Sequence, residues 1–174
     1  MDEFVKYIDL PQIPEDLLLT NLEDIKNLET RMTTPSELYM TYNAPLELYE
    51  FIQQGFSTGI QVRYQVMNGQ LPVHIDADFR GVSHVYNYGI STGGDNVKTR
   101  WWDQDVIEEK RIAFDGGHFD IIWGDEVDSD PLYETVIEPK RWHQLTVNVP
   151  HDISKLDSPR TSLRVWQETQ PQLF

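Results

Sequence analysis

Two hydrophobic periodicities divide this chain near residue 58. Before that point apolar residues recur at helical spacing. Leu22, Ile25 and Leu28 repeat every third position, and Thr20 with Glu23 has the spacing of a capping box. Leu48 and Ile52 lie four apart, after Pro45 and before Gly55. A first helical turn tolerates proline and glycine ends a helix, so this pattern predicts a second helix from near Pro45 to Gln54. From Gly59 the period becomes two: Ile60, Val62, Tyr64 and Val66 alternate with Gln61, Arg63, Gln65 and Met67. Asn68-Gly69 then predicts a hairpin turn. Further strands are predicted over 73–76, 83–91, 99–102, 111–114, 119–123, 132–137, 144–149 and 160–166. Turn signals separate them, among them Thr92-Gly93-Gly94-Asp95-Asn96, Asp115-Gly116-Gly117, Glu138-Pro139 and Asp157-Ser158-Pro159.

Eight or nine short strands with such punctuation predict a mainly β sandwich or jelly roll. With 174 residues the chain suits one domain. The expected organisation is a single domain over 1–174. Residues 1–57 would form a mostly helical buttress on one sheet, and 58–167 the β core.

Charge and composition narrow the chemistry. The formal net charge of −15 repels a phosphate backbone and an anionic bilayer, so neither nucleic acid nor membrane is an expected partner. No apolar run approaches the roughly 18 residues of a membrane span. The start, Met1 to Lys6, has neither a basic region nor an apolar stretch, and a cytoplasmic location is the expectation. The chain has no cysteine, so a transition metal would have to be held by His, Asp or Glu.

Among five histidines, two carry an aspartate at the second following position: His74-Ile75-Asp76 and His118-Phe119-Asp120. Residues i and i+2 of a strand project to one face, so an imidazole and a carboxylate can reach one ion. A second imidazole from a distant strand completes two His and one carboxylate on one side of an octahedron. Three positions then stay open, the arrangement of non-haem iron(II) oxygenases. His151 lies 77 residues beyond His74, with about six strands between, but only 33 beyond His118, too few for the chain to circle a barrel. His74, Asp76 and His151 are therefore the expected metal ligands. His84 and His143 are read as core-edge or surface histidines, either able to border the site.

Arg160-Thr161-Ser162 follows nine residues after His151. A guanidinium holds a carboxylate by two parallel hydrogen bonds, and Ser162, on the same face, adds a hydroxyl. This suits the distal carboxylate of 2-oxoglutarate. Arg164, further along that face, is the alternative anchor.

Three ordered stretches resemble one family. Pro72-Val73-His74-Ile75-Asp76, Tyr86-Asn87-Tyr88-Gly89-Ile90 with Thr99-Arg100-Trp101-Trp102, and Asn148-Val149-Pro150-His151-Asp152 through Arg160-Thr161-Ser162-Leu163 look like the small iron(II)/2-oxoglutarate oxygenases of marine bacterial and phage sequences. They resemble the prolyl- and aspartyl-hydroxylase-like branches. The likeness covers residues 58 to 167. It implies a double-stranded β-helix, a cupin-like jelly roll, with iron(II) on His74, Asp76 and His151 and 2-oxoglutarate on Arg160 and Ser162. Dioxygen would be consumed, and succinate and CO2 released as a peptide side chain or small amino-acid-like substrate is hydroxylated. Tyr64, Gln65, Asn87 and Tyr88 are pocket-lining candidates, with Tyr64 and Asn87 as expected co-substrate contacts. Arg100 is a departure from the family pattern and either touches substrate or faces water. Of Trp101 and Trp102, one is expected to face the pocket. The same strand pattern also suits a non-catalytic jelly-roll binding or structural protein.

Overall fold

The computed structural model describes residues 4–30, 37–78, 83–106, 110–113, 119–123 and 127–167. Among them twelve strands and two α-helices run in the order β1 (Val5–Tyr7), α1 (Leu22–Lys26), β2 (Tyr39–Asn43), α2 (Leu46–Gln53), β3 (Ile60–Met67), β4 (His74–Asp78), β5 (His84–Ser91), β6 (Lys98–Trp101), β7 (Lys110–Ala113), β8 (Phe119–Trp123), β9 (Tyr133–Val136), β10 (Trp142–Thr146), β11 (His151–Ile153) and β12 (Arg160–Gln167).

These strands form two six-stranded sheets, ordered β1-β10-β5-β12-β3-β2 and β7-β8-β4-β11-β6-β9. Every pairing is antiparallel. From β3 to β6, and again from β9 to β12, each strand lies in the sheet opposite its predecessor. That alternation is the winding of a jelly roll, and it places strands far apart in sequence side by side. β11 sits between β4 and β6, and β12 between β5 and β3.

The alternation in β3 sorts its residues between two environments. Ile60, Val62, Tyr64 and Val66 pack with Leu163, Val165, Tyr88 and Trp142 against Ile25 of α1 and Leu48 and Ile52 of α2. This is the largest apolar cluster among the described residues, and each such side chain contributes roughly 1.5–3 kcal/mol on burial. The helices therefore cover the outer face of the first sheet, as the pattern predicts. The opposite face of β3, carrying Gln65, looks across at the second sheet. There the sandwich interior holds two smaller apolar clusters: Met67, Leu71, Val97 and Ile153 in one, and Val85, Trp101, Ile137, Leu145 and Val147 in the other.

The described part of the first 57 residues differs from the expectation of a mostly helical buttress. The helices there span five and eight residues, and β1 and β2 add an edge strand to each side of the first sheet. Asn21, not Thr20, caps α1, its Oδ1 accepting from the N–H groups of Glu23 and Asp24 at 2.9 and 3.3 Å. Asn68-Gly69 makes no hairpin, because β3 and β4 lie in different sheets. Those residues carry the chain across instead, with the N–H of Asn68 donating to the carbonyl of Leu38 at 2.9 Å.

Candidate metal centre

His74 and Asp76 project from β4 to the same side, as alternation requires. β11 is the next strand, and its pairing sets His151 directly opposite His74. The two imidazole centroids stand 4.5 Å apart, and His74 Nε2 is 3.4 Å from Asp76 Oδ1. One donor atom from each of His74, Asp76 and His151 falls within 4.8 Å of the others, so the three can hold one metal ion. His118, of the alternative pair with Asp120, lies outside the described residues.

Local hydrogen bonds prepare both imidazoles. His74 Nδ1 lies 2.8 Å from the carbonyl of Pro72, and His151 Nδ1 lies 2.8 Å from that of Val149. A carbonyl only accepts, so Nδ1 carries the proton and Nε2 keeps its lone pair, the tautomer a metal requires. Both rings are buried. Burial, with neighbouring His74, pushes the His151 pKa down to about 4, so its neutral form prevails at neutral pH. Burial acts to raise the Asp76 carboxyl. The charge of Arg164, whose Nη1 lies 3.0 Å from Oδ2, opposes it, and the carboxyl is held well below the usual carboxylate range. The cluster therefore offers two imidazole nitrogens and one anionic oxygen.

The cluster opens on a cleft whose empty space, open solvent included, is about 680 Å³. Gln65, Asn87, Thr99, Trp101, Arg160, Ser162 and Arg164 line it, with Tyr39, Met67, Leu71, Leu145, Thr146 and Ile153. The first sheet supplies Arg160, Ser162 and Arg164 from one face of β12. In the neighbouring strands Gln65 pairs with Ser162, and Asn87 with Arg164. Ser162 Oγ donates to Gln65 Oε1 at 3.4 Å.

The two arginines have different surroundings. Arg164 donates from Nη1 to Asp76 Oδ2 at 3.0 Å and from Nε to Asn87 Oδ1 at 3.4 Å. Arg160 is half-buried and reaches Thr99 Oγ1 at 3.5 Å. Among the described residues it has no acidic partner. Burial, with Arg164 nearby, lowers its pKa to about 10, which leaves it charged at neutral pH.

Two sequence expectations, those for Tyr64 and Tyr88, need correction. Tyr64 does not reach the cleft. It points to the helical side of the first sheet, fully buried, its hydroxyl accepting from the N–H of Leu19 at 2.9 Å. Tyr88 points the same way and donates to Gln12 Oε1 at 3.2 Å. In both strands the adjacent residue, Gln65 or Asn87, takes the inward position, because neighbours on a strand face opposite sides. Arg100 faces outward and pairs with Asp152 in a two-point contact, its Nε donating at 2.8 Å, while Trp102 Nε1 donates to the same carboxylate at 3.3 Å. Trp101 is the inward tryptophan, donating to the carbonyl of Thr146 at 3.0 Å. His84 stays clear of the cleft, and His143 is buried within the sandwich.

Tyr39 and Thr99 also line the cleft. Tyr39 lies on the edge strand hidden in the segment read as helical. Thr99 had a legible signal, since it shares the inward face of β6 with Trp101.

No protein-family model matches the chain, and no curated protein does. Solved structures similar to it include Bacillus subtilis oxalate decarboxylase, at 13% identity over 84% of this chain and 29% of that one, TM-score 0.41. A structure concerned with the Mn(II) centres of the same enzyme gives 12% identity over 84% and 29%, TM-score 0.42. Escherichia coli ycfD gives 10% over 77% and 34%, TM-score 0.45. The chain thus spans about a third or less of the length of these proteins. At such scores the likeness adds nothing to the strand order, which defines the fold by itself. Among the described residues, no helix is long and apolar enough to cross a membrane.

Proposed function

We propose that this chain is an iron(II)- and 2-oxoglutarate-dependent oxygenase that hydroxylates a peptide side chain or a small amino-acid-like substrate. The observation that carries the reading is Arg160: a half-buried guanidinium, without an acidic partner among the described residues, in the same cleft as the His74–Asp76–His151 cluster. A cation withdrawn from water without a counter-charge costs free energy. An anion that reaches it recovers that cost, and a planar carboxylate fits a guanidinium at two points. Two imidazoles and one carboxylate, with no thiolate, suit iron(II) and leave positions free for exchange. When bound, iron(II) and 2-oxoglutarate would supply dioxygen activation and oxygen insertion into a substrate C–H bond, with release of succinate and CO2.

The chain's own residues hold and exclude. His74, His151 and Asp76 hold the metal, the imidazoles fixed by the carbonyls of Pro72 and Val149. Arg160 binds the distal carboxylate of the co-substrate, with Ser162 beside it. Trp101, Leu145 and Ile153 line the cleft with apolar surface that limits water. No side chain has to act as a general base.

The test is anaerobic titration with iron(II) and then 2-oxoglutarate, followed by the visible charge-transfer band of the chelate. Succinate release is then screened over peptides and free amino acids. Arg160→Met should weaken 2-oxoglutarate binding by about 10- to 100-fold, the size of a charge-assisted hydrogen-bonded pair, while iron still binds. His74→Ala should abolish iron binding. Unchanged 2-oxoglutarate affinity in Arg160→Met would leave a metal protein of another kind, and a wild-type chain that takes up no metal would remove the catalytic reading.

A further inference from the structure

Arg164 has a task distinct from that of Arg160. It is 8% exposed and lies on the same face of β12, yet its guanidinium is directed at the metal cluster itself. The two oxygens of Asp76 have different neighbours. Oδ1 stands 3.4 Å from His74 Nε2, on the side of the imidazoles, whereas Oδ2 accepts from Arg164 Nη1 at 3.0 Å. Asn87 Oδ1 receives Arg164 Nε at 3.4 Å and so aims the guanidinium from the next strand.

A carboxylate can bind a metal with one oxygen or with both. With both, this cluster would fill four positions of an octahedron and leave two. With one, three remain. A chelating 2-oxo acid takes two, so only the one-oxygen mode leaves room for a further ligand. We infer that Arg164, aimed by Asn87, keeps Asp76 a one-oxygen ligand and thereby holds the third exchangeable position open. It is a positioning residue, acting through Asp76. The inference rests on the metal reading above, but not on Arg160 or on the identity of the co-substrate.

The experiment loads the full chain with Mn(II), a paramagnetic ion whose water-proton relaxation counts the water molecules bound to it. Wild type should show about three exchangeable waters. Arg164→Met should show about two, a fall in relaxivity of about one third, and Arg164→Lys should restore much of it. A residue serving only the stability of the fold would leave the hydration of the bound ion unchanged. Where Arg164→Met fails to fold, Asn87→Ala serves; it leaves the ion pair but removes the acceptor that aims it, and gives a smaller fall. Relaxivity equal to wild type in whichever variant folds overturns the inference while the metal reading stands. A wild-type chain that binds no Mn(II) overturns both.

Discussion

Three histidines solve the same local problem in the same way. His74, His143 and His151 each place Nδ1 near the backbone carbonyl two residues earlier, at 2.8, 3.1 and 2.8 Å. In His74 and His151 the remaining nitrogen joins the metal cluster. In His143 it does not: Nε2 is buried and has no hydrogen-bond partner. Burial first, then the charges of Arg160 and Arg164, push the His143 pKa down to about 4, against a backbone hydrogen bond that favours the charged form. The sign of the consequence follows. In the unfolded chain a histidine takes up its proton near pH 6.5, while folded His143 resists until about pH 4. The unfolded state therefore binds more protons between those values, and stability falls as pH drops through that window. The slope owed to His143 is at most about 1.4 kcal/mol per pH unit. With chelator present, urea midpoints measured from pH 7 to 4 should fall less steeply in His143→Leu than in wild type. Parallel curves would mean that His143 is protonated in the fold.

At the scale of elements, the site depends on two connections meeting. The turn after β5 and the loop before β12 touch at Gly93, whose carbonyl accepts from the N–H groups of Asp157 and Ser158 at 2.9 and 3.0 Å. Gly93 has φ +81°, and a Cβ there would lie 2.8 Å from Leu156 Cδ2 and 3.1 Å from Arg160 Cβ. Glycine meets both the left-handed backbone and the close approach. Gly93→Ala should cost about 1–2 kcal/mol from the backbone conformation alone, read by urea denaturation. It should also weaken 2-oxoglutarate binding, because the added methyl crowds the strand start that presents Arg160. Loss of stability with unchanged affinity would show that the loop yields without moving the arginine.

At the scale of the whole molecule, the cluster ties together residues 77 positions apart, because β11 returns to lie beside β4. A metal bound by the folded chain alone should stabilise it by about 2.7 kcal/mol at a hundredfold excess over its dissociation constant. Thermal unfolding should thus move upward with added iron(II) or Mn(II) and return with chelator, and His74→Ala should show neither shift. The interior arrangement also explains how polar side chains come to line the cleft. The helices and the first sheet bury the largest apolar cluster on the outer face, so the sandwich interior can carry Gln65, Asn87, Ser162 and Arg164 between its two smaller clusters.

What the chain determined by itself was periodic or local. Alternation marked most strands of the core, and the spacing of His74 with Asp76 and of Arg160 with Ser162 put each pair on one face before any fold was known. The alternation does not reveal β1 and β11, because three residues hold too few repeats to separate a strand from a loop, nor β2, which lies between two stretches of helical periodicity. Which face looks inward was beyond the alternation, since period two is satisfied equally by Tyr64 or Gln65 pointing at the cleft. The sheets decided it, by covering one side with helices and turning the other toward β4 and β11. Likewise two arginines four apart are equivalent on a strand, and only the opposite sheet, by placing Asp76 against Arg164, left Arg160 as the cation without an acidic partner among the described residues.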